Sequence, residues 1–307
     1  MQRKKKKYFQ SLMIEPTNIC NYRCPVCLTG ENYDKRIKGN MSFNQFRKII
    51  KPAKGFLKSV NLWGFGEPFL APDIMKMIDY LGKNDISINI HTNGSVLTKK
   101  IMNQFKNNYK ILLTFSIDGL TQKTYSHYRR GGNLNKVMNN LSYLTDLKKR
   151  YNLFNLQTIW QFIIMRPNEH EVNRVERAAR KIGVDRLRFK TISVNKKHSS
   201  YNDLIPSNKK YHREGKEVVS KSDCVFLFPG IPNVSWNGNV VPCCHDYLHD
   251  FIIGNAIKKN IIDIWNNRKY KKFRSDYKKG INSLCNEKCK FTKKSKIYTE
   301  EIKFNQE

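Results

Sequence analysis

Apolar and polar positions follow two alternating periods along about the first 190 residues. Short runs with β character lie at Leu12–Ile14, Ser59–Trp63, Ile86–His91, Ile111–Ile117, Leu156–Met165 and Leu187–Ile192. The period-two pattern is plainest in Ser87-Ile88-Asn89-Ile90-His91. Between these runs, Ser42–Lys51, Pro72–Lys83, Thr98–Asn107, Asn133–Tyr151 and Asn168–Ile182 carry helical spacing. Ile74, Met77, Ile78 and Leu81 share one face, with Pro72 near the first turn. Strand–helix repetition predicts an α/β fold with a parallel sheet and right-handed crossovers. Residues 193–221 are polar and aperiodic and read as a linker, which makes 11–192 one domain and 222–295 a second, cysteine-rich module.

The residues with the most chemistry fall at strand ends. Cys20, Cys24 and Cys27 follow the first strand, and Gly64-Phe65-Gly66-Glu67-Pro68 follows the second. Thr92-Asn93-Gly94 closes the third, and Ser116-Ile117-Asp118-Gly119 the fourth. In parallel α/β barrels functional groups gather at the carboxyl ends of strands. Three thiols within eight residues are one short of the four that a closed zinc or electron-transfer site takes. That spacing implies a metal site with one position open to substrate or cofactor. Structural zinc with a remote fourth ligand is the alternative reading of the same thiols.

The stretch Glu15-Pro-Thr-Asn-Ile-Cys-Asn-Tyr-Arg-Cys-Pro-Val-Cys27 resembles the cluster loop of radical S-adenosylmethionine (SAM) enzymes. The resemblance implies a partial (β/α)6 TIM-like barrel in which Cys20, Cys24 and Cys27 hold a 4Fe–4S cluster and SAM chelates the fourth iron. It also implies reductive cleavage of SAM to a 5′-deoxyadenosyl radical that abstracts hydrogen from a substrate. Gly64, Gly66 and Glu67 match the glycine-rich segment that binds the SAM amino group, while Asn93 and Ser116 match further SAM contacts. Arg129, in Tyr128-Arg129-Arg130-Gly131-Gly132, is a candidate clamp for the SAM carboxylate. Relatives place an aromatic residue just before the third cysteine; here it is Val26. Asp118-Gly119 reads as a turn pair.

Five further cysteines, Cys224, Cys243, Cys244, Cys285 and Cys289, resemble the SPASM and twitch modules that hold auxiliary iron–sulfur clusters. Cys224, Cys243, Cys285 and Cys289 are the expected ligands of one auxiliary 4Fe–4S cluster, with Cys244 the spare or an exchange partner for Cys243. Zinc at the same four thiolates is the alternative.

Composition adds bounds. With 57 Lys and Arg against 25 Asp and Glu, the formal net charge is +32. Such a charge invites RNA or an acidic partner. Lys-rich and Asn-rich runs also follow from an AT-rich genome, so the charge by itself assigns no partner. No apolar run is long enough to span a membrane, and a cytoplasmic location is expected. Clustered cysteines in a reducing compartment read as metal ligands. The expected partners are a reductant such as flavodoxin or ferredoxin and a small-molecule or peptide substrate; nucleic acid is not expected. About nineteen residues precede Cys20, which tilts the expectation from a peptide towards a small polar, carbohydrate-like alcohol. An RNA-modifying radical enzyme and a non-catalytic zinc protein remain alternatives, and no catalytic acid or base is assigned.

Overall fold

The computed structural model describes residues 9–31, 33–194, 197–212, 214–217, 224–288, 294–296 and 299–304. Its strands are β1 (Ser11–Ile14), β2 (Ser59–Leu62), β3 (Ser87–Thr92), β4 (Ile111–Ser116), β5 (Leu156–Ile164) and β6 (Arg186–Thr191). Its main helices up to β6 are α1 (Phe43–Ile50), α2 (Ile74–Lys83), α3 (Lys99–Met102), α4 (Gln122–Tyr128), α5 (Leu134–Arg150) and α6 (Val172–Ile182). Each predicted strand forms, with no end moved by more than one residue. The chain divides into two compact units.

The first unit takes Met1–Asn18, Arg36–Ile88 and Gly215–Ser295. Here β1 and β2 run parallel, Leu12 opposite Val60 and Ile14 opposite Leu62. All four side chains are buried, and along β1 they alternate with half-buried residues. On the other edge of β1 lies Asn233–Val234, parallel to it, with Met13 opposite Asn233. That strand turns back antiparallel into Asn239–Val241, which pairs in turn with Gly254–Asn255. Thus part of the cysteine-rich module extends the sheet that begins with β1. Ser42 and Gln45 form a capping box at the start of α1. Phe43 and Phe46 of α1 meet Tyr80 of α2 edge-on at 5.9 and 6.4 Å.

The second unit takes Ile19–Lys35, Asn89–Glu214 and Lys296–Glu307, so the division falls within β3. Strands β4, β5 and β6 are parallel neighbours, with Ser116 opposite Gln161 and Gln161 opposite Arg188. Thr299–Lys303 closes that edge antiparallel to β6. The helix α4 was not legible as a periodic run: of its seven residues only Tyr125 and Tyr128 are buried, and a Thr121–Thr124 capping box starts it. The aperiodic segment after β6 holds a short helix, Tyr201–Leu204. It is tied down where the amides of Ser207 and Asn208 donate to the Glu169 carboxylate at 3.0 Å each.

Inside this unit Lys148 of α5 is ion-paired with Asp185, just before β6, and both are buried. Asp185 also accepts from the Thr158 amide at 2.6 Å and hydroxyl at 2.8 Å. A buried ion pair adds little net stability, yet breaking one strands a charge. Lys148→Ala should lower the unfolding free energy by about 3–5 kcal/mol, read as a shift of the urea midpoint.

Candidate functional site

The cysteine loop, in the second unit, is built by backbone. Cys27 N–H donates to the Cys24 carbonyl at 3.3 Å, and Glu31 N–H to the Cys27 carbonyl at 2.9 Å. Val26 takes a left-handed φ of 57°. A Cβ at Gly30 would stand 2.3 Å from the Cys24 carbonyl oxygen, so only glycine lets the chain fold back this closely. Arg23 N–H donates to the Arg130 carbonyl at 3.0 Å, holding the loop to the segment after α4.

Three residues fix its other side. Asn93 donates from Nδ2 to Asn21 Oδ1 at 3.0 Å, and its own Oδ1 accepts from the Ser95 amide at 2.9 Å and hydroxyl at 2.7 Å. Asn21 returns a bond to Ser95 Oγ at 2.9 Å. Asn93 is thus tied to the cysteine loop through Asn21. Ser116 ends β4 and is nearly buried.

Arg129 is held by groups of the protein itself. Its Nε donates to Asp118 Oδ2 at 2.6 Å, and its NH1 lies 3.8 Å from Cys24 Sγ. Asp118 is 0% exposed and also accepts from the Ile163 amide at 2.6 Å. Beyond shaping a turn, then, Asp118 holds both a cation and a strand. Burial works against the Arg129 charge, but Asp118 and then Cys24 outweigh it and its pKa rises. Burial pushes the Cys24 thiol up, with Arg129 opposing.

In the first unit, Gly64 to Glu67 follow β2. A Cβ on Gly64 would stand 2.5 Å from Glu15 Cγ, so glycine here admits the Glu15 side chain. Glu15 Oε1 accepts from the Phe65 amide at 3.2 Å. Both Glu15 oxygens take Arg36, NH1 to Oε2 at 2.9 Å and NH2 to Oε1 at 3.0 Å, in a bidentate pair. The same NH1 lies 3.0 Å from His249 Nε2. Glu67 is buried and accepts from the Phe69 amide at 3.2 Å, capping the turn Pro68–Leu70.

Glu15, Arg36 and His249 line a cavity of about 240 Å³ together with Trp63, Phe65, Asn233 and Tyr247. Cys243 and Cys244 reach its wall. Sequence reasoning missed Arg36 and His249, which share no spacing with any motif. Cys243 and Cys285 are buried, while Cys224 and Cys244 are half-buried. Burial raises the Tyr270 pKa, Arg274 opposes it, and Cys243 and Cys224 add to it. Cys289 lies outside the described residues.

The sequence profile of the Radical SAM superfamily matches residues 14–182, more than half of the chain. This chain belongs to the radical SAM superfamily. An iron–sulfur cluster-binding SPASM domain matches residues 228–290. Membership brings a 4Fe–4S cluster and SAM, and the SPASM domain brings auxiliary iron–sulfur clusters. The chain is 24% identical to the tungsten-containing aldehyde ferredoxin oxidoreductase cofactor-modifying protein of Pyrococcus furiosus, over 93% of this chain and 90% of that one. In structure it is similar to SAM-bound SuiB of Streptococcus suis, with a TM-score of 0.71 at 16% identity over 88% of this chain and 68% of SuiB. BtrN in complex with AdoMet and 2-DOIA overlays at 0.57 and 18% identity, over 92% of this chain and 93% of BtrN. These likenesses support the radical SAM barrel as the fold.

The cysteine loop suits a radical SAM cluster. Its three thiols are free of disulfides, and N–H donors already approach two sulfurs: Arg129 at Cys24, and the Tyr22 amide at Cys20 at 3.5 Å. Donors near ligand sulfurs and local charge tune cluster potentials. Arg129→Met should lower the midpoint potential of the SAM-binding cluster, while Arg129→Lys keeps most of it. Redox titration followed by electron paramagnetic resonance reads both.

Proposed function

We propose that this radical SAM enzyme abstracts a hydrogen atom from a small, polar, hydroxyl-bearing substrate held in the cavity beside Gly64 and Phe65. The cavity carries the reading. At about 240 Å³ it lies just under the usual range of ligand pockets, about 300–1,000 Å³, which suits one small ring. Trp63, Phe65 and Tyr247 offer flat apolar walls to C–H faces. Glu15 and Arg36 give an acceptor and a donor held in one geometry. Asn233 lines the same space and is buried, with its Oδ1 lacking a hydrogen-bond partner among the described residues. A substrate hydroxyl or amine would satisfy that oxygen.

In this reading Cys20, Cys24 and Cys27 hold the 4Fe–4S cluster, and Cys224, Cys243, Cys285 and Cys289 hold an auxiliary one. When bound, the catalytic cluster and SAM supply hydrogen-atom abstraction through a 5′-deoxyadenosyl radical. The protein's own groups do the rest. Arg129 keeps positive charge at Cys24, Asn21, Asn93 and Ser95 fix the loop, and backbone at Gly64 and Gly66 with Glu67 receives the SAM amino group. The bidentate Glu15–Arg36 pair orients the substrate. The full-length likeness to BtrN, captured with 2-DOIA, supports a small molecule. The likeness to SuiB, also captured with its precursor peptide SuiA, supports a second reading in which one peptide side chain enters the cavity.

Anaerobic reconstitution with SAM and a chemical reductant tests this. Deoxyadenosine release should rise with a polyol, sugar or aminocyclitol; a rise with peptides alone would favour the second reading. Replacing Cys20, Cys24 and Cys27 together with Ala should abolish that release and leave the auxiliary cluster's absorption near 400 nm. Arg36→Met should remove the substrate stimulation while slow, uncoupled release persists.

A further inference from the structure

In the second unit, segment 99–107 and helix α5 meet along a strip where cations and aromatic rings alternate. Lys99 Nζ stands 5.3 Å from the Tyr143 ring centroid, and Lys106 Nζ 3.9 Å from that of Tyr151. Between these pairs the Tyr143 hydroxyl donates to Asn103 Oδ1 at 3.4 Å. At about 1.5 Å of rise per residue, the two tyrosines follow each other by about 12 Å along the α5 axis. Beyond Tyr151, which is 45% exposed, the chain turns with Leu153 buried and Phe154 72% exposed.

Hydrogen bonds brace this turn. Asn152 and Asn108 both take a left-handed φ, 51° and 50°, which asparagine tolerates better than most residues. The Asn155 amide donates to Asn108 Oδ1 at 3.0 Å, and Asn155 Nδ2 to the Asn108 carbonyl at 3.2 Å. Leu153 N–H donates to the Lys148 carbonyl at 3.0 Å. Two loops at the amino ends of β4 and β5 are thereby tied together, and Phe154 is presented to solvent on a hydrogen-bonded support. Charge on the strip is one-sided. Lys99, Lys100, Lys106, Lys149 and Arg150 are exposed and in no ion pair among the described residues. Asp146 is the one carboxylate within residues 98–112 and 133–157. The side-chain amides of Asn103, Gln104, Asn107 and Asn152 are exposed among these cations.

We propose that this strip binds single-stranded nucleic acid, with Tyr151 and Phe154 stacking on bases and the five cations on phosphates. A single strand matches an interleaved row of rings and cations, because every base offers a π face and every phosphate a charge, whatever the sequence. The asparagine and glutamine amides supply donors and acceptors to the exposed base edges. An anionic membrane would also satisfy the cations, but it would leave those amides without partners. In sequence the net charge of +32 assigned no partner; the fold adds the rings among the cations. The inference is independent of the substrate reading, since binding requires no turnover.

The test is fluorescence anisotropy of a fluorescein-labelled single-stranded oligouridylate with the full-length, cluster-loaded protein, repeated across a salt series. Binding should saturate and be tighter than that of a duplex of the same length. Phe154→Ser should weaken it about five- to hundredfold, the loss of one stacked base, and Tyr151→Ser likewise. Lys106→Met should weaken it and flatten the slope of log affinity against log salt by about 0.7, the share of one phosphate contact. Lys269→Met combined with Lys271→Met removes two exposed cations from the basic helix Arg268–Lys279 of the first unit and should leave affinity nearly unchanged. The proposal is overturned by no saturable binding, by tighter binding of the duplex, or by unaltered affinity in both Phe154→Ser and Tyr151→Ser. It is equally overturned if the Lys269 and Lys271 pair costs as much affinity as Lys106→Met, which would make the binding a property of net charge. Capture of phosphatidylserine vesicles without capture of the oligonucleotide would overturn it in favour of a membrane surface.

Discussion

Arg129, clamped between Asp118 and Cys24, is the contact on which the unit holding the cysteine loop turns. One guanidinium joins the turn after β4, the end of α4 and the cysteine loop. Through Asp118 it also reaches β5, because the second carboxylate oxygen takes the Ile163 amide. Buried charge is expensive, and an ion pair seldom returns more than it loses on desolvation. Its value here is orientation. A fixed cation next to the Cys24 sulfur sets the local field at the cysteine loop.

A similar arrangement governs the first unit. Glu15, at the end of β1, and Arg36, on the loop beyond the cysteines, form a bidentate pair that glycine at position 64 makes room for. The pair projects a rigid donor–acceptor edge into an aromatic-walled cavity. Such pre-organisation lets a small site bind selectively with few contacts. Here Arg36, a residue that no motif marks, is brought to Glu15 by the fold.

Much of the architecture was legible in sequence. The six strands and five of the helices follow from period and breaker signals, since their buried faces must repeat at 2 or 3.6 residues. The helix α4 escaped because two tyrosines and a capping box hold it instead of an apolar stripe. The strand Asn233–Val234 is two residues long, and only its pairing with β1 on one side and Asn239–Val241 on the other makes it a strand. Among the site residues, Asn93, Glu67 and Arg129 stood out in sequence as candidate ligand contacts. In the fold each has a structural partner: the Asn21–Ser95 network, the Phe69 amide, and Asp118 with Cys24.

Sequence alone determined the radical SAM family, because cluster chemistry demands three thiolates at short spacing on one loop, a purely local constraint. It also determined the strand–helix order, because periodicity is local too. Tertiary structure alone decided which charges meet. Glu15 with Arg36 and His249, and Asp118 with Arg129, are pairings between separate segments. Their energies depend on burial and on distances of about 3 Å, and neither quantity exists until the chain has folded.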